Sequence, residues 1–292
     1  MTNNNSLKIE EILNLNFKNI KEVRLNTIKA CPHCNNINFI KYGKYNNIQR
    51  YKCKDCYRTF SLSTNTPWSY TKKNILTWIK YIELMFACNT LKECANKLSM
   101  HITTAFAWRH KILHSLVSLN LPNVMENNIS MRKLMERESF KGNKNMPIGE
   151  RKKIWIIAGE DECDNYLAQP ICKHYWDKES FIKKVYTKFK ENSILHSYGD
   201  RYLDIICNNH NGNKQKEENV EVKEKLFKNV FSFQKLKKRF YGVASKYLKH
   251  YLYFGNIFMC HNEYSYLSLF LKLNNTDTYI RGIDLKLIDC LS

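Results

Sequence analysis

Hydrophobic positions in the first half of the chain recur at the spacing of α-helices. Two series have intervals of three or four residues, which place their side chains on one face of a helix. The series are Ile75, Trp78, Ile79, Ile82 and Met85, followed by Leu91, Cys94, Ala95 and Leu98. We therefore predict two helices, and a third after a short turn at residues 99–101. The polar stretch 122–132 predicts a linker.

The pattern changes in the second half of the chain. Residues 152–161 form a short apolar run that is typical of a buried strand, and residues 165–171 would be its hairpin partner. A helix with an acidic start is predicted over 177–190 and a further strand over 192–199. After a polar loop at 208–224 we predict a basic helix. This mixture of strands and helices favours a mixed α/β domain.

The chain is strongly basic. Its 292 residues include 47 Lys and Arg against 27 Asp and Glu, which gives a net charge of +20. Such an excess favours a polyanionic partner, either nucleic acid or an anionic membrane surface. The sequence has no apolar run close to the roughly 18 residues needed to cross a bilayer, which argues against a membrane partner. The N-terminus lacks the order of a signal peptide, so we expect an intracellular protein, nuclear in a eukaryote and otherwise in the cytoplasm or nucleoid.

Four of the eleven cysteines form two closely spaced pairs, Cys31 with Cys34 and Cys53 with Cys56. Each CxxC motif places two thiolates on one tight turn, and two such turns supply the four ligands of a tetrahedral zinc ion. The residues between the pairs suffice for a hairpin. The spacing therefore predicts a zinc ribbon with a structural Zn²⁺. His33, inside the first pair, is a competing ligand that we expect at the surface.

Basic residues predominate around these cysteines. Lys52 and Arg58 are among six cations that accompany the single acid Asp55, and we expect these two to contact DNA. A ribbon that binds another protein, or that only supports the fold, is the alternative.

The second and third predicted helices, residues 91–113, have the spacing of a helix-turn-helix. In that motif the second helix enters the major groove of DNA. The residues that would face phosphates or bases are Thr103, Thr104, Arg109, His110 and Lys111. A helical hairpin that makes no DNA contact is the alternative.

Several blocks of sequence occur in a characteristic order. They are CPHC (31–34), QRYKCKDCYRTFS (49–61), NTP (65–67), TAFAWRHKIL (104–113), ESFKGNKNMP (138–147) and RFYGVASKYLKHYL (239–252). Together they resemble insertion-sequence transposases of the DDE type that carry an N-terminal zinc ribbon. The resemblance implies that the ribbon and the helix-turn-helix hold transposon ends. It also implies a ribonuclease-H-like domain that cuts and joins DNA with two metal ions on a triad of Asp, Asp and Glu, or Asn in some branches.

The chain departs from this family at the triad. The first family acid falls on Arg132, and the second falls on Tyr198. The third falls near Phe227 or Phe231, where Asn229 is the plausible oxygen ligand. Hard cations such as Mg²⁺ require oxygen ligands, so we expect the catalytic site to be lost.

Two other acids are candidates for displaced ligands. Glu136 lies four residues beyond Arg132, and Asp200 lies two residues beyond Tyr198. Two residues along a strand advance the chain by about 6 to 7 Å, which is too far to replace a ligand without a shift in register. We therefore expect Asp200 to be a solvated residue at a strand end.

The last block interleaves basic and aromatic residues over 235–250. The resemblance implies that this block lies close to DNA, which adds Lys237, Lys238 and Arg239 to the expected DNA contacts. A solvated basic helix is the alternative.

The sequence as a whole predicts an α+β multidomain protein. Its parts are an N-terminal extension (1–28), a zinc ribbon (29–66), a helix-turn-helix segment (70–120), a ribonuclease-H-like domain of mixed α/β structure (130–258) and a C-terminal tail (259–292). The predicted partner is duplex DNA, and the resemblance also implies a homo-oligomer. Mg²⁺ is expected only if the catalytic site is intact.

Three functions follow from these features. The first is a transposase-like DNA-binding protein, from a decayed or domesticated element, that has lost its catalytic acids. The second is an active transposase with displaced acids. The third is a zinc-ribbon module that binds other proteins, in which the positive charge is only compositional.

Overall fold

A computed structural model describes residues 29–45, 48–73, 75–141, 151–198, 200–212, 220–240, 243–259, 266–274, 276, 278–289 and 291. The chain forms two compact units, one of Met1–Leu84 with Glu263–Arg281 and one of Met85–Asn262 with Gly282–Ser292. The predicted N-terminal extension, residues 1–28, lies outside the described residues. In the described part of the chain, every helix is either too short or too polar to cross a lipid bilayer.

The smaller unit contains a three-stranded antiparallel sheet. The strands β1 (Phe39–Tyr45), β2 (Ile48–Cys53) and β3 (Thr59–Ser61) are neighbours in that order. Tyr51 and Phe60 pack on one side of the sheet with their rings 5.6 Å apart, next to the cysteine pairs. A short core of this kind gains little from burial alone, so a small ribbon ordinarily needs a further constraint such as a metal ion.

A second group of aromatic residues in the smaller unit joins distant parts of the sequence. The Trp68 ring stacks on Phe270 at 4.2 Å, and the Trp68 indole N–H donates to the Asn274 Oδ1 at 2.9 Å. Phe270 and Asn274 belong to α8 (Tyr266–Asn274). The segment predicted as a C-terminal tail therefore contains a helix that packs into this unit. Helix α1 (Ile75–Phe86) begins in the same unit. The helical periodicity of residues 75–85 predicts this helix.

The larger unit contains a four-stranded sheet in the order β6-β5-β4-β7. Strands β4 (Asn128–Arg137), β5 (Lys153–Asp161) and β6 (Tyr166–Lys173) form an antiparallel meander, and β7 (Ile194–Ser197) pairs with β4 in parallel. The predicted strands β5, β6 and β7 are confirmed.

Strand β4 corrects the prediction of a linker over 122–132. Ile129 and Met131 are completely buried, and Ser130 and Arg132 alternate with them. This period of two is typical of a strand. The polar residues face the other side of the sheet, where they pack against a helix. Because every second residue is polar, the segment has the composition of a loop.

Helices cover both faces of this sheet. The helices of the larger unit are α2 (Leu91–Lys97), α3 (Ile102–Ser118), α4 (Lys178–Lys184), α5 (Arg201–Asn211), α6 (Val220–Arg239) and α7 (Leu248–Met259). Helices α4 and α5 enclose a hydrophobic core with one face. On the other face α6 lies against β4 and β5, and α7 lies between β6 and α3.

Local sequence explains several of these boundaries. Thr90 and Glu93 form a reciprocal capping box at the start of α2, and Asp177 caps α4. The predicted helix over 177–190 is too long, because α4 ends at Lys184 and is followed by a 3₁₀ turn. The predicted loop over 208–224 is shorter at both ends, since α5 reaches Asn211 and α6 starts at Val220.

Candidate functional site

The four paired cysteines converge on one point in the smaller unit. Their Sγ atoms all lie within 4.8 Å of one another, with Cys31 and Cys56 3.7 Å apart and Cys34 and Cys53 3.6 Å apart. Four thiolates at about 2.3 Å from a tetrahedral zinc ion would have Sγ atoms about 3.8 Å apart. The four cysteines could therefore hold a metal ion such as zinc. His33 is exposed and lies outside the cluster.

The same backbone turn occurs at both cysteine pairs. The residue after each pair, Asn35 or Tyr57, has a φ of 58°, in the left-handed region. The turns are closed by hydrogen bonds from the Cys31 amide to the Asn36 carbonyl at 2.7 Å and from the Cys53 amide to the Arg58 carbonyl at 3.0 Å. A tyrosine rarely adopts this φ, so the turn at Tyr57 is held by its surroundings.

Backbone amides also favour the charged form of a cysteine in this cluster. Hydrogen bonding from the Cys56 amide lowers the pKa of the Cys53 thiol to about 7. A thiolate is the form that binds zinc, so this amide favours the ligating form of Cys53, whereas the pKa of Cys34 in the same cluster is raised.

One surface of the ribbon combines basic and aromatic side chains. The Lys52 ammonium lies 5.3 Å from the Tyr42 ring centre and 5.9 Å from that of Tyr57, and the Arg50 guanidinium lies 5.9 Å from Tyr42. Tyr57 is 71% exposed, and Arg58 beside it is also exposed. Such contacts between cations and rings keep the charges at the surface in defined positions.

A cationic groove of about 1050 Å³ borders the ribbon within the smaller unit. Arg50, Arg58, Lys72 and Lys73 line it together with the exposed rings of Tyr45 and Tyr70 and several serine and threonine residues. Asp55 is the only acidic residue between positions 29 and 73, and it does not line the groove. Lys72 and Lys73 were not among the predicted contacts, although their position just after the ribbon was a usable signal.

In the larger unit, the first two family positions meet beneath α6. The Arg132 guanidinium lies 4.6 Å from the centre of the Phe227 ring, and the Tyr198 ring lies 6.0 Å from it. The Tyr198 hydroxyl is also 3.3 Å from that of Ser130. Strands β4 and β7 pair in parallel up to Met131 and Ser197, which places the next residues of both strands side by side.

The third family position lies on the same face of the sheet. Asn229 on α6 donates its amide to both carboxyl oxygens of Glu160, at 3.0 and 2.7 Å. Glu160 lies in β5 directly opposite Ser130 in the strand register. Burial raises the pKa of Glu160 to about 7, against the effect of the Asn229 hydrogen bonds. Glu160 was not among the predicted site residues, although a glutamate inside the apolar run of β5 was a signal.

The lysines near this face alter its charge. The Lys223 ammonium lies 4.5 Å from the centre of the Tyr198 ring, on the same side as Arg132. Cations and a phenol therefore occupy the region in which the family would place carboxylates.

The two displaced acids lie on opposite faces of the sheet. Asp200 caps α5 by accepting from the amides of Tyr202 and Leu203, and it forms an ion pair with Lys133. Glu136 forms an ion pair with Lys237 of α6. Lys133 and Glu136 are three residues apart in a regular strand, so their side chains point in opposite directions. The structure does not bring these acids together.

Asp200 also differs from its predicted role. We expected a solvated residue at a strand end, and its side chain is mostly buried by Lys133 and the start of α5. The Lys133 ammonium in turn lies among three aromatic rings, at 4.9 Å from Trp155, 4.9 Å from Trp176 and 5.1 Å from Tyr202. This arrangement is a structural support for the start of α5.

The predicted DNA contacts on α3 divide into exposed and buried residues. Thr103 is exposed and Thr104 half-buried. Lys111 is also half-buried, and burial lowers its pKa. The prediction for Arg109 is wrong because its side chain is only 2% exposed and its guanidinium donates to the Asn89 carbonyl at 2.6 Å. His110, with the same exposure, is likewise an interior residue.

The predicted contacts at the end of α6 are partly engaged within the unit. Lys237 pairs with Glu136, and Arg239 pairs with Glu93 at 3.0 Å. Lys238 is exposed. The helix itself confirms the prediction of a basic helix in this region.

Comparisons with known proteins link the chain to mobile DNA. It is 26% identical over 98 residues to an uncharacterized protein in transposable element ISH50 of Halobacterium salinarum. The matched region is 33% of this chain and spans about a third of the relative's length. No protein-family model matches the chain, and no solved structure matches it. The chain is thus similar, over this region, to a protein of a transposable element.

Proposed function

We propose that this protein binds duplex DNA through a zinc ribbon and a helix-turn-helix, as a transposase-like protein that no longer cuts DNA. The cationic groove of the smaller unit is the observation that carries the proposal. Its guanidinium and ammonium groups line a concave surface without any acid, which is suited to a run of phosphates. The similarity to a protein of a transposable element supports the same class of function.

The ribbon offers aromatic surfaces and fixed turns to DNA, in addition to positive charge. The exposed Tyr42, Tyr45 and Tyr57 beside the lysines and arginines offer flat surfaces to sugars and bases. Zinc held by the four cysteines would fix the two turns from which Arg58 and Tyr57 project. The metal is therefore structural in this proposal.

Helices α2 and α3 form the second part of the proposed interface. They are joined by a short turn, and the N-terminal turn of α3 presents Ile102 and Thr103 at the surface. A recognition helix contacts base edges with its N-terminal residues. With Arg109 removed from the set, Thr103, Thr104 and Lys111 remain as candidate contacts.

The sheet of the larger unit is compatible with a ribonuclease-H-like domain. An antiparallel meander whose first strand pairs in parallel with a fourth is the strand order expected for such a fold. Arg132, Tyr198 and Asn229 lie on one face of the sheet, which supports the alignment of this chain with the family blocks. We propose that this domain keeps the architecture of a transposase without its metal ligands.

The test is the salt dependence of binding to duplex DNA by the full chain. Log affinity should fall linearly with log salt, with a slope of about 0.9 per phosphate contact. Arg58→Gln combined with Lys73→Gln should lower the slope by about 1.8, because two exposed contacts in the groove are lost. Lys178→Gln combined with Lys183→Gln is the matched control, since it removes two exposed charges from α4.

Two outcomes contradict the proposal. Weak binding that does not respond to salt would favour the ribbon as a protein-binding module. An equal loss of slope in both double variants would show that net charge, and not the groove, determines binding.

A further inference from the structure

A cavity of about 780 Å³ lies in the larger unit between the α2–α3 pair and the chain that leads into α7. Helix α3 supplies Phe106, Arg109 and His110 to its walls, and the other side is formed by Phe240, Tyr247 and Tyr251. The proposed DNA contacts at the start of α3 do not use this cavity.

The walls of the cavity are aromatic. The His110 ring lies 3.9 Å from Tyr247 and 4.3 Å from Phe106, measured between ring centres. Phe106 is 37% exposed and so lies at the rim, whereas His110 is 2% exposed. Phe106 therefore keeps part of its ring open at the rim, where another planar ring can stack on it.

The polar groups of the cavity suit a ligand with an anionic and a hydrogen-bonding part. Lys92, Lys141 and Arg109 line it, and Glu93 carries the only carboxylate among its described residues. That carboxylate is already engaged, because it caps α2 and pairs with Arg239. The positive charges are thus left in excess.

His110 provides a hydrogen-bonding group with unused capacity. Its Nδ1 makes no hydrogen bond to any described residue. Burial, together with the nearby His250 and Arg109, lowers the pKa of His110 to about 3, so the imidazole is neutral. A neutral imidazole both donates and accepts a hydrogen bond, as the edge of a nucleobase does.

We propose that this cavity receives an unpaired nucleobase of the bound DNA, stacked on Phe106, with its phosphate near Lys92 and Lys141. Thr103 and Phe106 are three residues apart and share a face of α3. DNA placed against the start of α3 would therefore bring a displaced base to the rim of the cavity. The inference rests on the proposed DNA-binding function.

The experiment compares short duplexes of one sequence with and without a single unpaired adenine, using the full chain. The bulged duplex should bind about tenfold more tightly, which corresponds to the stacking of one base. Phe106→Ala should remove this preference and leave the affinity for the paired duplex unchanged within about twofold. Phe106→Tyr should retain the preference, because the ring is kept.

Ile102→Ala is the control variant, since Ile102 is exposed on the same helix and does not line the cavity. It should change the affinity for both duplexes by the same factor. Equal binding of both duplexes by the unchanged protein would overturn the inference alone. Absence of binding to either duplex would contradict the proposed function and this inference with it.

A free nucleotide is the other source of the same chemistry. Binding of dAMP that depends on Phe106, without any preference for the bulged duplex, would overturn the assignment to a base within DNA. Competition by dAMP that removes only the bulge preference would support a single site for the base.

Discussion

Burial shifts the pKa of the Glu160 carboxyl upward. Its pKa is raised to about 7, and Asn229 donates to both of its oxygens. Below about pH 4 this acid is protonated in both the folded and the unfolded chain. As the pH rises towards 7, the unfolded chain releases the proton while the folded chain keeps it, and the fold loses stability in that window.

Glu160→Gln tests this account. The variant stays neutral at every pH, so its free energy of unfolding, taken relative to that of the unchanged protein, should be about 2 kcal/mol higher at pH 8 than at pH 5. Urea unfolding at the two pH values measures the difference. Glu162→Gln, at an exposed site two residues away, is the control and should show little effect at either pH. A Glu160→Gln effect that is the same at both pH values would contradict burial as the cause.

Arg109 illustrates how a basic residue in a motif can serve the fold. Its guanidinium donates to the Asn89 carbonyl, lies 3.4 Å from the Cys94 Sγ, and is 5.0 Å from the Phe240 ring centre. Arg109→Ala should therefore lower the free energy of unfolding by about 2–4 kcal/mol, because a buried acceptor and a packed ring lose their partner.

Urea unfolding again provides the measurement for Arg109→Ala. Arg201→Ala removes an exposed arginine at the start of α5 and should change stability by less than about 0.5 kcal/mol. If Arg109→Ala weakened DNA binding while stability stayed unchanged, Arg109 would be a DNA contact after all.

At the scale of elements, the ribbon depends on its two cysteine turns. We expect about one zinc ion per purified chain, and Cys53→Ser should reduce the zinc content to nearly none, since zinc binding and folding of such elements are coupled. Metal analysis of the purified proteins measures this. Cys163→Ser alters an exposed cysteine of the larger unit and should leave the zinc content unchanged. Unchanged zinc in Cys53→Ser would refute the assignment of ligands.

At the scale of the whole molecule, the larger unit has an ordered sheet with helices on both faces, but it lacks carboxylates at two positions where the resemblance expects them. We expect no cutting or joining of DNA that carries the terminal repeats flanking its gene, in either Mg²⁺ or Mn²⁺, because a guanidinium and a phenol occupy the positions onto which the resemblance maps two carboxylates. Nicked and joined products on a gel are the readout. Activity that disappears on Asp200→Ala or Glu160→Ala would show that other acids hold the metal ions.

A variant that introduces the two missing carboxylates tests whether the rest of the larger unit can support catalysis. Arg132→Asp combined with Tyr198→Asp places one carboxylate in β4 and one just after β7, both facing the helix α6 that carries Asn229. A gain of nicking in the presence of Mg²⁺ would show that the remaining scaffold is suited to catalysis.

The sequence by itself determined those features whose causes are local. A metal-binding cluster could be predicted because its ligands lie in two short turns of fixed geometry, which contain Cys31, Cys34, Cys53 and Cys56. The helices α1 to α3 and the strands β5 to β7 followed from periodicity or from apolar runs. The block order also led to Arg132 and Tyr198, which the structure places against one ring.

Only the tertiary structure decided which polar residues are buried and what they contact. Strand β4 has the composition of a loop, yet it lies within the sheet because β5 and β7 satisfy its backbone on both sides. Glu160 meets Asn229 across 69 residues of sequence, and Trp68 meets Asn274 across 206. No local pattern encodes such pairs, since they depend on how distant elements pack. The same packing buries Arg109, which the helix-turn-helix spacing assigned to DNA.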